Sequence, residues 1–167
     1  MKVILGIDPG LAFTGYGVIA VDGSSYRHLG HGVIGTSPQE DMGSRLVRLH
    51  LGLEEVLEAY RPQESSVELI YFAKNSKTAI PVAQARGVVL YTLAARGIPI
   101  AEYTPLQLKQ ALIGRGRAEK RQIQEMLKIL FRLESVPAPD HAADALALAV
   151  CHANISSVRR RISALGG

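Results

Sequence analysis

Four side chains in this sequence are of the kinds that hold divalent cations, and they stand where such groups are costly. Asp8 closes the apolar run Val3-Ile4-Leu5-Gly6-Ile7, and Glu68 sits inside Val67-Glu68-Leu69-Ile70-Tyr71. His141 and Asp144 interrupt a segment otherwise rich in Ala and Leu. A carboxylate set into a central strand costs roughly several kcal/mol unless it is paired or metal-bound. His141 and Asp144 are spaced to share one helix face, which continues apolar through Leu148 and Cys151 and so points inward. Convergent ligands of this kind hold two divalent ions about 4 Å apart, which activate water and neutralise a leaving phosphate oxygen. Each residue also has a plainer use. Asp8 fits an Asx-type turn before Pro9-Gly10, Glu68 an edge strand facing water, and Asp144 the dipole of a helix N-terminus. A charged His gains nothing from that dipole, which weakens the plainer use of His141.

The elements that must carry these residues follow from the apolar pattern. Val3 to Ile7 reads as a strand buried on both faces, Tyr16 to Val21 as a second and Tyr26 to Ile34 as a third, joined by tight turns at Asp8-Pro9-Gly10 and Asp22-Gly23. Ser37 is the expected N-cap of the first helix, with Pro38 in its first turn and Glu40 completing a capping box. Leu46, Leu49, Leu53, Val56, Leu57 and Tyr60 recur at helical spacing until Arg61-Pro62. Ser66 to Phe72 is the expected fourth strand and Pro99 to Tyr103 the fifth. Between them a helix over about 76–96 carries two apolar faces, so it packs on the sheet and on something else. Thr104-Pro105 caps a short helix, Ile123 to Leu130 mark another, and a last one runs from about Asp140 to Asn154. The order predicts an α/β domain over 1–155 with a mixed five-stranded sheet, and a loose basic tail over 156–167.

The basic residues are concentrated. The chain nets +4, yet Pro105 to Arg132 alone holds seven basic residues against two acids, a net of +5. Lys109, Arg115, Arg117 and Lys120 lie there, two of them in the loop Gly114-Arg115-Gly116-Arg117. Such a local excess suits a surface that grips phosphates, although a solvated helix face gives the same count. Lys74-Asn75-Ser76-Lys77 follows the aromatic pair Tyr71-Phe72, and cations beside aromatics suit unstacked bases. The plain alternative makes those two aromatics strand-end core.

Composition narrows the class. With 47% apolar and 20% charged residues in 167, one globular domain is expected. No apolar run reaches the length of a membrane span, no leader peptide is recognisable, and a lone cysteine, Cys151, excludes an intrachain disulfide. A soluble, cytoplasmic protein is the expectation.

Five colinear motifs then carry a resemblance: Gly6-Ile7-Asp8-Pro9-Gly10 with Thr14-Gly15-Tyr16-Gly17; Glu68 to Asn75; Gln84-Ala85-Arg86-Gly87; Asp144-Ala145-Leu146-Ala147; and Cys151-His152. Together they resemble the RuvC family of Holliday-junction resolvases over about residues 1–154. The resemblance implies an RNase H-like fold, a homodimer, and paired nicks in four-way junction DNA with Mg²⁺ or Mn²⁺, two ions per subunit, leaving 5′-phosphate ends. It implies metal ligation by Asp8, Glu68 and Asp144, with His141 at a position that is an acid in many members and His in others. It places the junction wedge at Tyr71, phosphate contacts at Lys109 and Lys120, and the dimer helix around Gly87. Lys74, Asn75, Arg115 and Arg117, in the basic elements above, are expected to add DNA contacts, and the resemblance implies partnership with the RuvA–RuvB branch-migration complex. Two rival readings fit the residues less well. An actin-like or sugar-kinase ATPase opens similarly but needs two such domains and a second phosphate loop. A non-catalytic DNA-binding module has no use for Asp8, Glu68 and Asp144, since carboxylates repel phosphate unless a cation intervenes.

Overall fold

The computed structural model describes residues 1–69, 76–114 and 119–165. Its strands are β1 (Lys2–Asp8), β2 (Phe13–Asp22), β3 (Ser25–Gly35), β4 (Glu64–Glu68) and β5 (Ile100–Tyr103). Its helices are α1 (Met42–Tyr60), α2 (Ser76–Ala95), α3 (Pro105–Ile113), α4 (Lys120–Phe131) and α5 (Asp140–Leu165). They form one mixed sheet in the order β3-β2-β1-β4-β5, in which β1, β2 and β3 are antiparallel neighbours while β1, β4 and β5 run parallel. This is the expected α/β architecture.

The alternation of β1 sorts the core into two layers. Leu5 and Ile7 face one side, where Val18, Val67, Leu49, Leu53, Val89 and Leu93 pack under α1 and α2. Ile4 faces the other, with Ile19, Leu146, Leu148 and Leu127 under α5 and the α3–α4 pair. Asp8 has the parity of Ile4 and therefore faces α5. That helix lies almost against the sheet because the strands beneath it carry glycine. A methyl group on Gly6 would overlap the carbonyl oxygen of Ala145, and one on Gly15 that of His141. Alanines Ala142, Ala143, Ala145, Ala147 and Ala149 keep this helix slim where it is fully buried.

Four sequence expectations are corrected. The first helix is capped by Asp41, whose side chain accepts from the Ser44 amide at 3.0 Å. Ser37 and Glu40 do pair, but as a separate turn, and Glu40 then turns to Arg48. The fourth strand spans Glu64–Glu68, so Glu68 ends it rather than interrupting it. β4 lies between β1 and β5, so the edge-strand use of Glu68 fails. The last helix continues past Asn154 to Leu165, where a loose tail was expected. No Gly or Pro occurs between Asn154 and Gly166 to stop it, and Ile155 still packs on the core. Pro81 falls inside α2, within its first two turns, where the lost amide costs one hydrogen bond near the helix start.

The close seat of α5 gives a direct test. Gly15→Ala must push main chain rather than a pliable side chain, so a loss of about 3 kcal/mol is expected, or roughly a 10 °C fall in melting temperature. A variant that melts with the parent protein in calorimetry would mean α5 sits further from the sheet than described.

Candidate active site

Parallel pairing of β1 with β4 brings the first two acids together. Their register pairs Ile7 with Val67, and each strand continues one residue further to Asp8 and Glu68. Adjacent strands lie about 4.8 Å apart, so two carboxyl groups end side by side on the face that α5 covers. The first turn of α5 supplies the third acid and the imidazole. His141 Nδ1 lies 2.8 Å from Asp8 Oδ2. A carboxylate can only accept there, so Nδ1 carries the hydrogen and Nε2 is left as the ring's lone-pair donor. The Asx-turn use of Asp8 is thereby displaced by a cross-element pair.

Burial and like charge both act on this cluster. Asp8 is 7% exposed. Glu68 is pushed up to about 8, first by burial, then by the neighbouring charge and hydrogen bond of Asp8 and by the charge of Asp144. Burial pushes the Asp144 carboxyl up as well, against the pull of Lys120. Lys120 Nζ stands 3.0 Å from Asp144 Oδ2 and 3.3 Å from Asp140 Oδ2. Burial lowers the Lys120 ammonium's proton affinity, but the Asp144 and Asp140 pairs outweigh it and leave its pKa raised.

A second network fixes α5 from below. His152 Nε2 lies 3.0 Å from Glu64 Oε2, and Tyr103 Oη lies 2.8 Å from His152 Nδ1. Glu64 accepts from Nε2–H, so Nδ1 accepts from the tyrosine. Burial favours this neutral imidazole by lowering its pKa. Lys2 completes the chain at Glu64. The network ties β1, β4 and β5 to α5 two turns beyond Asp144.

All four expected ligands are thus assembled at one end of the sheet, with one correction. His141 is not turned inward: its side chain is 47% exposed, at the rim, reaching in only through Nδ1. Among the described residues the set does not form a closed metal cage, because Asp8 is turned to His141 and Asp144 to Lys120. The donor chemistry nevertheless fits hard divalent cations: three carboxyl groups and an imidazole, with burial first and the repulsion of like charge second raising the pKa values of Glu68 and Asp144. A dication removes that repulsion, and Lys120 already supplies one positive charge in its place.

Of the expected DNA contacts, Lys120 lies in the site, paired to acids, which its place in a basic run did not foretell. Lys109 is half-buried on α3, the helix that leaves the same end of the sheet after β5. Tyr71, Lys74, Asn75, Arg115 and Arg117 lie outside the described residues. Phe13, at the start of β2, is a neighbour of His141 that the sequence reading missed. A lone aromatic after a Pro-Gly turn carries no periodic signal.

The sequence profile described as "Crossover junction endodeoxyribonuclease RuvC" matches residues 4–152. The chain belongs to the RuvC family. A RuvC of Petrotoga mobilis is 53% identical over 152 residues, 91% of this chain and 93% of that protein. That of Moorella thermoacetica is 47% identical over 165 residues, 99% of each. Among solved structures, Thermus thermophilus RuvC in complex with Holliday junction substrate superposes with a TM-score of 0.90 at 39% identity, covering 95% of this chain and 97% of that one. The yeast mitochondrial resolvase Ydc2, at 17% identity and a TM-score of 0.64, shares the fold. RuvC nucleases depend on divalent metal. No helix among the described residues is long and apolar enough to cross a membrane.

The raised Glu68 carboxyl fixes a pH dependence. A folded-state pKa above the unfolded one favours folding while the group is protonated. That contribution is full below the ordinary range near 4.5 and is lost as pH rises through about 8. In chelator, Glu68→Gln should therefore melt near the parent at pH 5.5 and above it at pH 8.5. Adding Mn²⁺ should reverse the order at pH 8.5. Parallel melting curves across that range would mean Glu68 does not feel Asp8 and Asp144.

Proposed function

We propose that this crossover junction endodeoxyribonuclease resolves four-way DNA junctions by paired hydrolytic nicks, with Asp8, Glu68, His141 and Asp144 as its metal-holding set. The observation that carries the assignment is the side-by-side ending of β1 and β4 in two carboxyl groups, where burial, then Asp8, and to a lesser extent a third acid, Asp144, raise Glu68 to about 8. A cluster that repels itself, and would repel a phosphodiester, has a use only when cations join it.

Two Mg²⁺ or Mn²⁺ ions, once bound, would lower the pKa of a water for in-line attack and neutralise the departing 3′ oxygen, leaving a 5′-phosphate. Asp8 lies between Glu68 and His141 and is the natural shared ligand. His141 offers Nε2 while Asp8 holds its Nδ1–H. Asp144 would be freed to hold a cation if Lys120 moved from it to a DNA phosphate, so binding of the substrate would ready the acid. Lys109, with Arg115, Arg117, Lys74 and Asn75, would hold neighbouring phosphates, and Tyr71 would enter the opened junction centre. We place the protein in the cytoplasm, acting after RuvA and RuvB, with 1–155 as the catalytic body.

Paired nicks need two sites, and α2 supplies a surface for a two-fold dimer. Ile80, Gln84, Gly87, Tyr91 and Ala94 recur along one exposed face, while Ala85, Val89 and Leu93 lie buried on the other. A side chain at Gly87 would meet nothing within 4 Å in the single chain. Gly87→Leu should therefore fold normally and weaken self-association about tenfold or more in sedimentation. An unchanged dimer would move the interface elsewhere.

The acid assignment is tested by separating cutting from binding. Asp8→Asn and Asp144→Asn should each slow junction cutting by at least about 100-fold without weakening junction affinity in a gel-shift titration, since Asp8 faces His141 and removing the Asp144 charge only frees its partner Lys120 for phosphate. Cutting near the parent rate in Mg²⁺ would overturn the site.

A further inference from the structure

We infer that Phe13 is a nucleotide-stacking residue of the active site, one that seats a base flanking the cut phosphodiester; the inference rests on the endonuclease reading above. Phe13 is 51% exposed, and unlike the more exposed Tyr91 on α2 it stands beside the acid cluster. It is not on a loose loop. The turn before it is closed by Thr14, whose hydroxyl donates to the Gly10 carbonyl at 2.6 Å and accepts from the Gly10 amide at 3.3 Å. Thr36 closes it from the other strand, its amide donating to Ala12 O at 3.0 Å and its hydroxyl to Leu11 O at 2.5 Å. β2 begins at Phe13 opposite Gly35, and a methyl at Gly35 would stand 3.6 Å from the Phe13 ring. The ring therefore rests over a position with no side chain.

Its other neighbour is the His141 ring, with centroids 6.4 Å apart and planes inclined by 30°. Phe13 and Gly15 share a sheet face, and Gly15 is where the His141 main chain touches β2. A rigid, exposed aromatic is thus aligned with the imidazole that holds Asp8. Phosphate is repelled by the acids here, whereas a base has an apolar face indifferent to them. Stacking on such a ring is tolerant of sequence and strong enough to matter for an unstacked nucleotide. Fixing the base fixes the phosphodiester beside it against Asp8 and Glu68, where small displacements are costly. Packing against His141 alone would need no such exposure.

Because the chain has no tryptophan, Phe13→Trp introduces a solitary fluorophore. Junction binding is followed in chelator by anisotropy of labelled DNA, and the indole by its emission and its access to acrylamide. The expected result is quenching and shielding of the indole on binding. Both should be lost, at similar DNA affinity, when the nucleotide flanking the mapped cut site is abasic. They should persist when an abasic nucleotide lies elsewhere in the same arm. Phe13→Leu should lower kcat/KM about tenfold on intact junction and far less on the abasic one. An indole that stays as accessible as in the free protein while anisotropy reports binding overturns the inference alone. So does shielding indifferent to the abasic position, or an equal Phe13→Leu defect on both substrates. Failure of the anisotropy to report any junction binding overturns it together with the reading beneath it.

Discussion

Everything at this site depends on the in-register parallel pairing of β1 with β4. It brings Asp8 and Glu68 to neighbouring strand ends, a placement the apolar residues before them enforce, since Ile4, Leu5, Ile7 and Val67 are fully buried. The core makes the arrangement obligatory, and crowding makes it costly in the absence of positive charge. Glu68 answers by rising to about 8, Asp8 by turning to His141, and Asp144 by taking Lys120. The protein folds around a group of acids whose mutual repulsion a cation would relieve.

The second constraint is the seat of α5. Glycines in β1 and β2 and alanines on the helix let it lie close enough for its first turn to reach over the strand ends. The Tyr103–His152–Glu64 chain then pins it further along. Polar groups at two levels of one helix thus do different work: the lower set is buried and fully paired, and the upper set is crowded at the rim.

Much of this was legible in the sequence for definite reasons. The five strands and their succession along the chain followed from apolar runs and turn residues, while their order in the sheet did not, and Asp8, Glu68, His141 and Asp144 stood out because each breaks an apolar pattern. Helix limits were less legible. Ser37 and Glu40 satisfy a capping pattern yet yield to Asp41, since they close a separate turn and Asp41 with Ser44 offers the same kind of cap four residues later. The continuation of α5 was hidden by a run of arginines that reads as a tail but has helix-forming stems. The Lys120–Asp144 pair is a tertiary contact across α4 and α5, and no spacing rule reveals it. Phe13 was invisible for the same reason, because its meaning lies in His141, far away in the chain.

The central claim is that these residues close on cations when DNA is present. Anomalous diffraction from a junction complex soaked in Mn²⁺ tests it most directly. The account predicts two peaks about 4 Å apart, both ligated by Asp8, with Glu68, His141 and Asp144 completing their shells and Lys120 withdrawn to a phosphate. Peaks away from Asp8, or Lys120 still seated on Asp144 with the metal-soaked DNA in place, would contradict it.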